Sequence, residues 1–105
     1  MDFTDPNLRF ARASDHLSTD LDGEVAILNL ESKLYFGLAD VAAVIWRELG
    51  SPTSLDGLLE AVMTEYAVEE AQCRTDIEQF LKSLNETGLI EMRSEGADRL
   101  TPSAH

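Results

Sequence analysis

The sequence contains very little cysteine and histidine. Among its 105 residues there is one cysteine, Cys73, and there are two histidines, His16 and His105. A single cysteine excludes an internal disulfide and a CxxC motif of the metal-binding or redox kind. So few thiol and imidazole groups also leave almost nothing from which to build a zinc or copper site, or a Ser or Cys nucleophile paired with a His base. We therefore expect no metal, no cofactor and no catalytic activity.

Long apolar runs and targeting signals are also lacking. No run approaches the roughly 18 residues that a membrane-spanning helix needs. Residues 1–6 (MDFTDP) do not have the pattern of a signal peptide. We therefore predict a cytoplasmic protein with no membrane partner.

Basic side chains are strongly outnumbered. Eight Lys and Arg residues stand against twenty Asp and Glu residues, which gives a formal net charge of −12. A surface this negative repels the phosphates of nucleic acids and attracts basic partners. The composition therefore argues against a nucleic-acid partner.

The first half of the chain has the composition of β-strands. Residues 24–30 are rich in aliphatic side chains and follow the turn signal Asp22-Gly23, and residues 33–38 contain two adjacent aromatics. Residues 16–19 are a weaker candidate strand. Together they predict a small antiparallel meander, which must pack on helices because so small a sheet is not stable alone.

Three helical patterns follow the strands. Apolar residues recur at helical spacing in residues 38–49, 55–66 and about 69–87. Gly50 ends the first pattern, Thr53 or Ser54 caps the second, and Gly88 ends the third. The predicted fold class is α+β, with an N-terminal three-stranded antiparallel sheet followed by three helices, an order that is winged helix-turn-helix-like. We divide the chain into a flexible N-terminal segment (1–14), a folded domain (15–92) and a flexible C-terminal tail (93–105).

A winged helix often binds DNA through its last helix, but the charge of this helix argues against that function. Residues 69–87 contain two cations, Arg74 and Lys82, against five carboxylates. Both cations follow a glutamate at i,i+4 spacing, so each has a local partner. A winged-helix-like adaptor that contacts proteins in regulation, without binding DNA, remains an alternative, as does a fragment of an enzyme subunit that is stable only in a complex.

The strand predicted at residues 33–38 is the best candidate for a binding function. A helix follows it directly, so one of its edges can remain unpaired, and an unpaired edge can pair with another extended chain. Lys33 is its only charged residue. The alternative is that the N-terminal segment of this same chain covers the edge.

Two further side chains each have two interpretations. Cys73 lies near the start of a helix, where the helix dipole lowers the pKa of a thiol, but its spacing to Ile77 and Phe80 is typical of a buried residue. Trp46 falls beside the apolar stripe of the first helix, where it either belongs to the core or helps to cover the sheet or line an interface.

Several short motifs occur in a fixed order between residues 21 and 91. They are residues 23–28 (GEVAIL), 35–38 (YFGL), Val41, Ile45, Trp46, residues 53–59, Tyr66, Asp76, Ile77, Phe80, Leu81, Leu84 and residues 88–90 (GLI). In order and spacing they resemble the PqqD-like family, the recognition elements of pathways that make ribosomally synthesised and post-translationally modified peptides. One departure is Ala39, which stands where the family commonly has an Asn that can cap the first helix, so that the cap is lost or shifted to Asp40.

The resemblance implies a non-catalytic peptide chaperone. The leader of a precursor peptide would add as a strand to the third strand, beside the third helix, and the domain would present the peptide to a modifying enzyme, either a radical maturase or a lasso-type leader protease. The implied partners are thus the leader peptide and that enzyme, with the domain a monomer or a domain-swapped dimer. The implied peptide-binding residues are Lys33, Leu34, Tyr35, Phe36, Gly37, Arg74, Asp76, Ile77, Gln79, Phe80, Leu81 and Leu84, with Arg74 and Gln79 at the rim.

Overall fold

A computed structural model of the protein describes residue 3 and residues 5–94. Its elements are β1 (Leu8–Arg12), β2 (His16–Leu21), β3 (Glu24–Asn29), β4 (Tyr35–Ala39), α1 (Val41–Glu48), α2 (Leu55–Glu65), α3 (Glu70–Glu86) and β5 (Ile90–Ser94). Within this described part of the chain, none of the helices has the length and apolar character needed to cross a membrane.

The predicted meander is present as the antiparallel sheet β2-β3-β4. Asp22 and Gly23 form the turn between β2 and β3 with φ angles of 47° and 94°. Two positive φ angles are typical of the type I′ turn, which is favoured in two-residue hairpins because it matches the twist of the flanking strands. The sheet and the three helices that follow it confirm the predicted fold class.

The three helices begin and end close to the predicted residues. The Ser54 hydroxyl accepts a hydrogen bond from the Gly57 amide at 3.1 Å and caps α2. Gly88 follows α3 with a φ of 77°, and the Leu89 amide donates to the Leu84 carbonyl at 2.9 Å. This is the Schellman arrangement that a C-terminal glycine favours.

The start of α1 lacks a side-chain cap, as the departure at Ala39 indicated. Asp40 occupies the N-cap position with a φ of 56°, and its side chain makes no capping hydrogen bond with the described residues. Helix α1 is stabilised instead by its packing, since residues 43–46 are all buried.

The core lies between the helices and one face of the sheet. This inner face presents Val25 and Ile27 of β3 together with Phe36 and Leu38 of β4. Trp46 of α1 is fully buried in this core, which confirms the interpretation of Trp46 as a core residue. The opposite face of the sheet is called the outer face below.

The inner side of β2 is polar and contacts α1 through specific bonds. The Arg47 guanidinium donates from Nε and Nη2 to the two carboxylate oxygens of Asp20, at 2.8 and 2.9 Å. These bonds lower the pKa of the Asp20 carboxyl. The His16 ring lies edge-on to the Trp46 ring, with 5.1 Å between their centroids. Helix α1 is therefore joined to β2 by polar and aromatic contacts rather than by aliphatic packing.

Strands β1 and β5 are a correction to the sequence analysis, which predicted no strand before residue 15 or after residue 92. They pair antiparallel with each other, from Leu8 opposite Ser94 to Arg12 opposite Ile90. Phe10 at the centre of β1 is fully buried, and its backbone exchanges hydrogen bonds of 2.7 and 3.0 Å with Thr53. The rest of the predicted tail, residues 95–105, lies outside the described residues.

There is a physical reason why the sequence gives no indication that β1 pairs with β5. The apolar residues of β1 are few and lie among polar ones, and the strand that completes the pair is about eighty positions away. The driving force for β1 is the burial of Phe10 against the helices, which no local pattern records.

Candidate functional site

Strand β4 lies at an edge of its sheet. It pairs with β3 on one side, and no described residue pairs with its other side. The N-terminal segment, which was the alternative occupant of this edge, pairs with β5 instead. The predicted open edge is therefore confirmed for the described part of the chain.

The register of β3 and β4 identifies the backbone groups that point outward. The Asn29 amide donates to the Leu34 carbonyl at 2.9 Å. Because bonded and non-bonded pairs alternate in an antiparallel ladder, Phe36 also bonds to β3. The intervening residues, Tyr35 and Gly37, direct their N–H and C=O groups away from β3. These groups are free to bond to an added strand.

An open apolar cavity lies between α1 and α3. It has a volume of about 460 Å³. Its lining consists of Val41, Ala42, Ile45, Val68, Glu69, Gln72, Cys73, Asp76, Ile77 and Phe80. A smaller hollow of about 100 Å³ lies between the inner face of the sheet and the end of α3, and Phe80 lines both. Since α1 begins two residues after β4, a strand added to β4 would run beside the larger cavity.

The structure brings together part of the predicted peptide-binding set. Asp76, Ile77 and Phe80 line the larger cavity, while Phe36 and Leu84 line the smaller hollow. Tyr35 and Gly37 contribute the outward backbone groups. Phe80 lines both hollows and so connects the side chains that line the larger cavity with those beside β4.

The remaining predicted residues lie elsewhere. Leu81 is fully buried in the core, and Gln79 is exposed on α3 outside both hollows. Arg74 faces α2, where its guanidinium lies 2.8 Å from the Asp56 carboxylate. Lys33 and Leu34 belong to the turn before β4, Lys33 with a φ of 65° and Leu34 exposed.

Sequence reasoning missed the contribution of α1 to the cavity. Val41, Ala42 and Ile45 line it, although their spacing indicated only a core-facing helix stripe. An apolar stripe at helical spacing has the same pattern whether all of it is covered or one border of it faces an open cavity. The apolar stripe of α1 therefore indicated burial, but it did not indicate that part of the stripe lines a cavity.

A second missed residue is Asn29, which joins the sheet to α3. It is the one buried polar or charged residue in the described part of the chain. Its Nδ2 donates to the Thr87 carbonyl at 2.8 Å, and its Oδ1 accepts from the amides of Glu31 and Ser32 at 2.9 and 3.2 Å. The turn before β4 is thus bonded to the C-terminus of α3, which sets the position of one wall of the groove relative to the other.

The rim of the larger cavity is acidic, and its lining includes the buried thiol of Cys73. The Asp76 carboxylate accepts from Gln72 Nε2 at 3.0 Å, and the Glu69 carboxylate accepts from the Gln72 amide at 2.8 Å. Burial raises the pKa of the Cys73 thiol, and the charge of Asp76 raises it further. Because the thiolate is the reactive form, Cys73 is suited to packing rather than to catalysis. Among residues 3 and 5–94 there is no group of side chains able to hold a metal ion.

We expect Cys73 to react slowly in the folded protein. At pH 8, iodoacetamide should alkylate it several-fold more slowly in buffer than in urea, because burial removes both access and negative charge from the sulfur. The mass shift of the intact chain measures the reaction, and Cys73 is the only thiol that contributes. Equal rates in the two solvents would contradict the buried, protonated state.

Comparison with known proteins identifies the family. The model of the family described as coenzyme PQQ synthesis protein D (PqqD) matches residues 24–90. The match covers more than half of the chain and includes β3, β4 and all three helices. The chain belongs to the PqqD family. The resemblance inferred from the sequence is thereby confirmed.

Two solved structures are similar to this PqqD family member. One is TbiB1 in complex with the TbiA(beta) leader peptide, with 30% identity, a TM-score of 0.71, and coverage of 77% of this chain and 94% of that chain. The other is a lasso peptide synthetase B1 complexed with the leader peptide, with 27% identity, a TM-score of 0.69, and coverage of 78% and 96%. No curated protein sequence matches the chain significantly.

Proposed function

We propose that this PqqD family member binds the leader of a ribosomally synthesised precursor peptide by strand addition to β4, and presents the peptide to a modifying enzyme. The observation that carries the proposal is the open edge of β4 beside an apolar cavity. The two similar structures contain leader peptides, which supports the same class of ligand here.

The groove suits an extended guest in two ways. Tyr35 and Gly37 offer N–H and C=O groups to the main chain of the guest, which provides affinity for any sequence. Every second side chain of the guest would lie on the same side as Phe36, facing α3 and the hollows that Phe80 lines. Apolar side chains at those positions would provide selectivity.

The proposed role requires no chemistry from the domain itself. The groove is lined mainly by apolar side chains, and its thiol has a raised pKa. We therefore propose a non-catalytic domain that acts by holding the peptide for a separate enzyme. The likeness to a lasso peptide synthetase B1 favours a lasso-type leader protease over a radical maturase as that enzyme.

We expect the cognate leader peptide to bind with a Kd of about 1 μM, or about −8 kcal/mol, because ordering an extended guest offsets much of the contact energy. In a ¹⁵N amide titration, Tyr35 and Gly37 should shift and become protected from hydrogen exchange. The Phe36 amide should change less, because it already bonds to β3. A leader of the same composition in scrambled order is the control. Unchanged signals at Tyr35 and Gly37 with the native leader would refute strand addition.

A further inference from the structure

The outer face of the sheet is more apolar than a solvent-facing sheet surface usually is. Leu17 and Leu21 of β2 are 61% and 52% exposed, and Tyr35 of β4 is 68% exposed. Leu17, Leu28 and Tyr35 lie directly opposite one another across the three strands. They form a continuous row of large apolar side chains, and Ala26 in the centre of the sheet adjoins it.

Strand β2 shows that this face is not simply an unfinished core. On its inner side β2 carries His16 and Asp20, which contact α1, while its two leucines lie on the outer side. An antiparallel sheet with one face in water normally places polar residues outward and apolar residues inward. Strand β2 has the reverse arrangement. Its apolar side chains lie on the outer face, where no described element covers them. Such a surface indicates a site of protein contact.

The charge around the outer face indicates what kind of protein fits it. The turns that border it, residues 13–15, 22–23, 30–34 and 40, contain four carboxylates and a single cation, Lys33. The four acidic residues, Asp15, Asp22, Glu31 and Asp40, are all exposed. A fifth carboxylate, Glu24, lies on the outer face itself. The complementary surface is therefore an apolar patch bordered by Lys and Arg.

A second copy of this chain fits the outer face poorly. A two-fold dimer would place the same acidic turns opposite each other, and each copy carries a net charge of −12. A partner with a basic border avoids this repulsion.

We propose that the outer face, centred on Leu17, Leu21 and Leu28, docks the processing enzyme that receives the peptide, through an enzyme surface that is apolar at its centre and basic at its border. This inference rests on the proposed function for the identity of the enzyme. Strand β4 belongs to both surfaces, since its edge takes the guest and its Tyr35 side chain lies on the outer face. A guest strand added to β4 would extend the outer face with its own outward side chains. The enzyme would then contact the domain and the guest together, so each ligand strengthens the binding of the other.

The test uses the full chain, the cognate leader peptide and the cognate processing enzyme, a leader protease of the lasso type under the proposed function. In the variant Leu17→Thr/Leu21→Thr, strand propensity and charge are kept while the apolar contact is lost. We expect the affinity for the enzyme to fall about tenfold, and the affinity for the leader alone to stay within twofold. Saturating leader should raise the affinity of the wild-type chain for the enzyme. Met63→Gln is the matched control, because Met63 is an exposed apolar residue on α2.

Three results with the enzyme would overturn the docking surface, and so would one result on the oligomeric state. The first three are an enzyme that does not bind the wild-type chain, an enzyme affinity that the double variant leaves unchanged, and an equal loss with Met63→Gln. A wild-type dimer that the double variant dissociates would assign the outer face to a second copy and would also overturn it. Failure of the proposed function gives a different result, because the leader would then not bind the wild-type chain in the absence of the enzyme.

Discussion

Gly37→Pro should weaken leader binding at least 30-fold, or by about 2 kcal/mol, while leaving the domain folded. Proline removes the outward amide of Gly37, so the main chain of the guest loses a donor and keeps an unpaired carbonyl in a partly buried groove. The ring also crowds the space where the guest strand must lie. The fold should persist because the lost N–H does not bond to β3, and an edge strand accepts proline at such a position. Calorimetric titration with the leader peptide measures the loss.

Gly37→Ala is the matched control for this variant. A Cβ at Gly37 would meet no atom within 4 Å, and the amide is retained. We therefore expect its leader affinity to stay within about twofold of the wild type. If both variants bind the leader as tightly as the wild type does, the guest does not use this edge. If both lose binding, the cause is the side chain of residue 37 rather than its amide.

Asn29→Ala should lower the free energy of unfolding by about 2–3 kcal/mol. The substitution leaves the Thr87 carbonyl and two turn amides without their partner, and the cost of unpaired polar groups exceeds the value of an average hydrogen bond. For a domain of this size the loss corresponds to a fall in Tm of about 10 °C. Urea denaturation followed by circular dichroism measures it. Leader affinity should also fall, because the turn before β4 is no longer held to α3.

The control for the Asn29 variant is Asn85→Ala. Asn85 is exposed on α3, near the same end of the helix. The identical change there should shift stability by less than about 0.5 kcal/mol, since exposed positions without special contacts tolerate substitution. An equal effect of the two variants would mean that Asn29 makes no contribution beyond that of an exposed asparagine.

Both predictions concern how β4 is presented. The strand is bonded to β3 along one edge, its preceding turn is bonded to the end of α3 through Asn29, and α1 begins directly after it. These three connections fix β4 relative to α1 and α3, and no described residue pairs with its other edge. A strand edge held in this way does not have to be ordered when a guest arrives, which reduces the entropic cost of binding.

Local patterns predicted the elements that form the groove. The aliphatic run after Asp22-Gly23, the aromatic strand after residue 30 and the three helix stripes all appear close to their predicted bounds, because turn chemistry and apolar period depend on neighbouring residues. The predicted site was less complete. Phe80 lines both hollows, but Arg74 faces α2 and Leu81 belongs to the core. These residues of α3 have similar surroundings in the sequence but point in different directions in space.

By itself the sequence determined that this is a small acidic domain of three strands and three helices, with one thiol and almost no imidazole for catalysis. Composition and local periodicity contain that information. Only the tertiary structure decided that Phe10 joins the core through β1 and β5, that α1 lines the cavity, and that no described residue pairs with the outward groups of Tyr35 and Gly37. These features depend on which distant segments meet. Burial and strand pairing are properties of the neighbours in space, and a local pattern records only the neighbours in the chain.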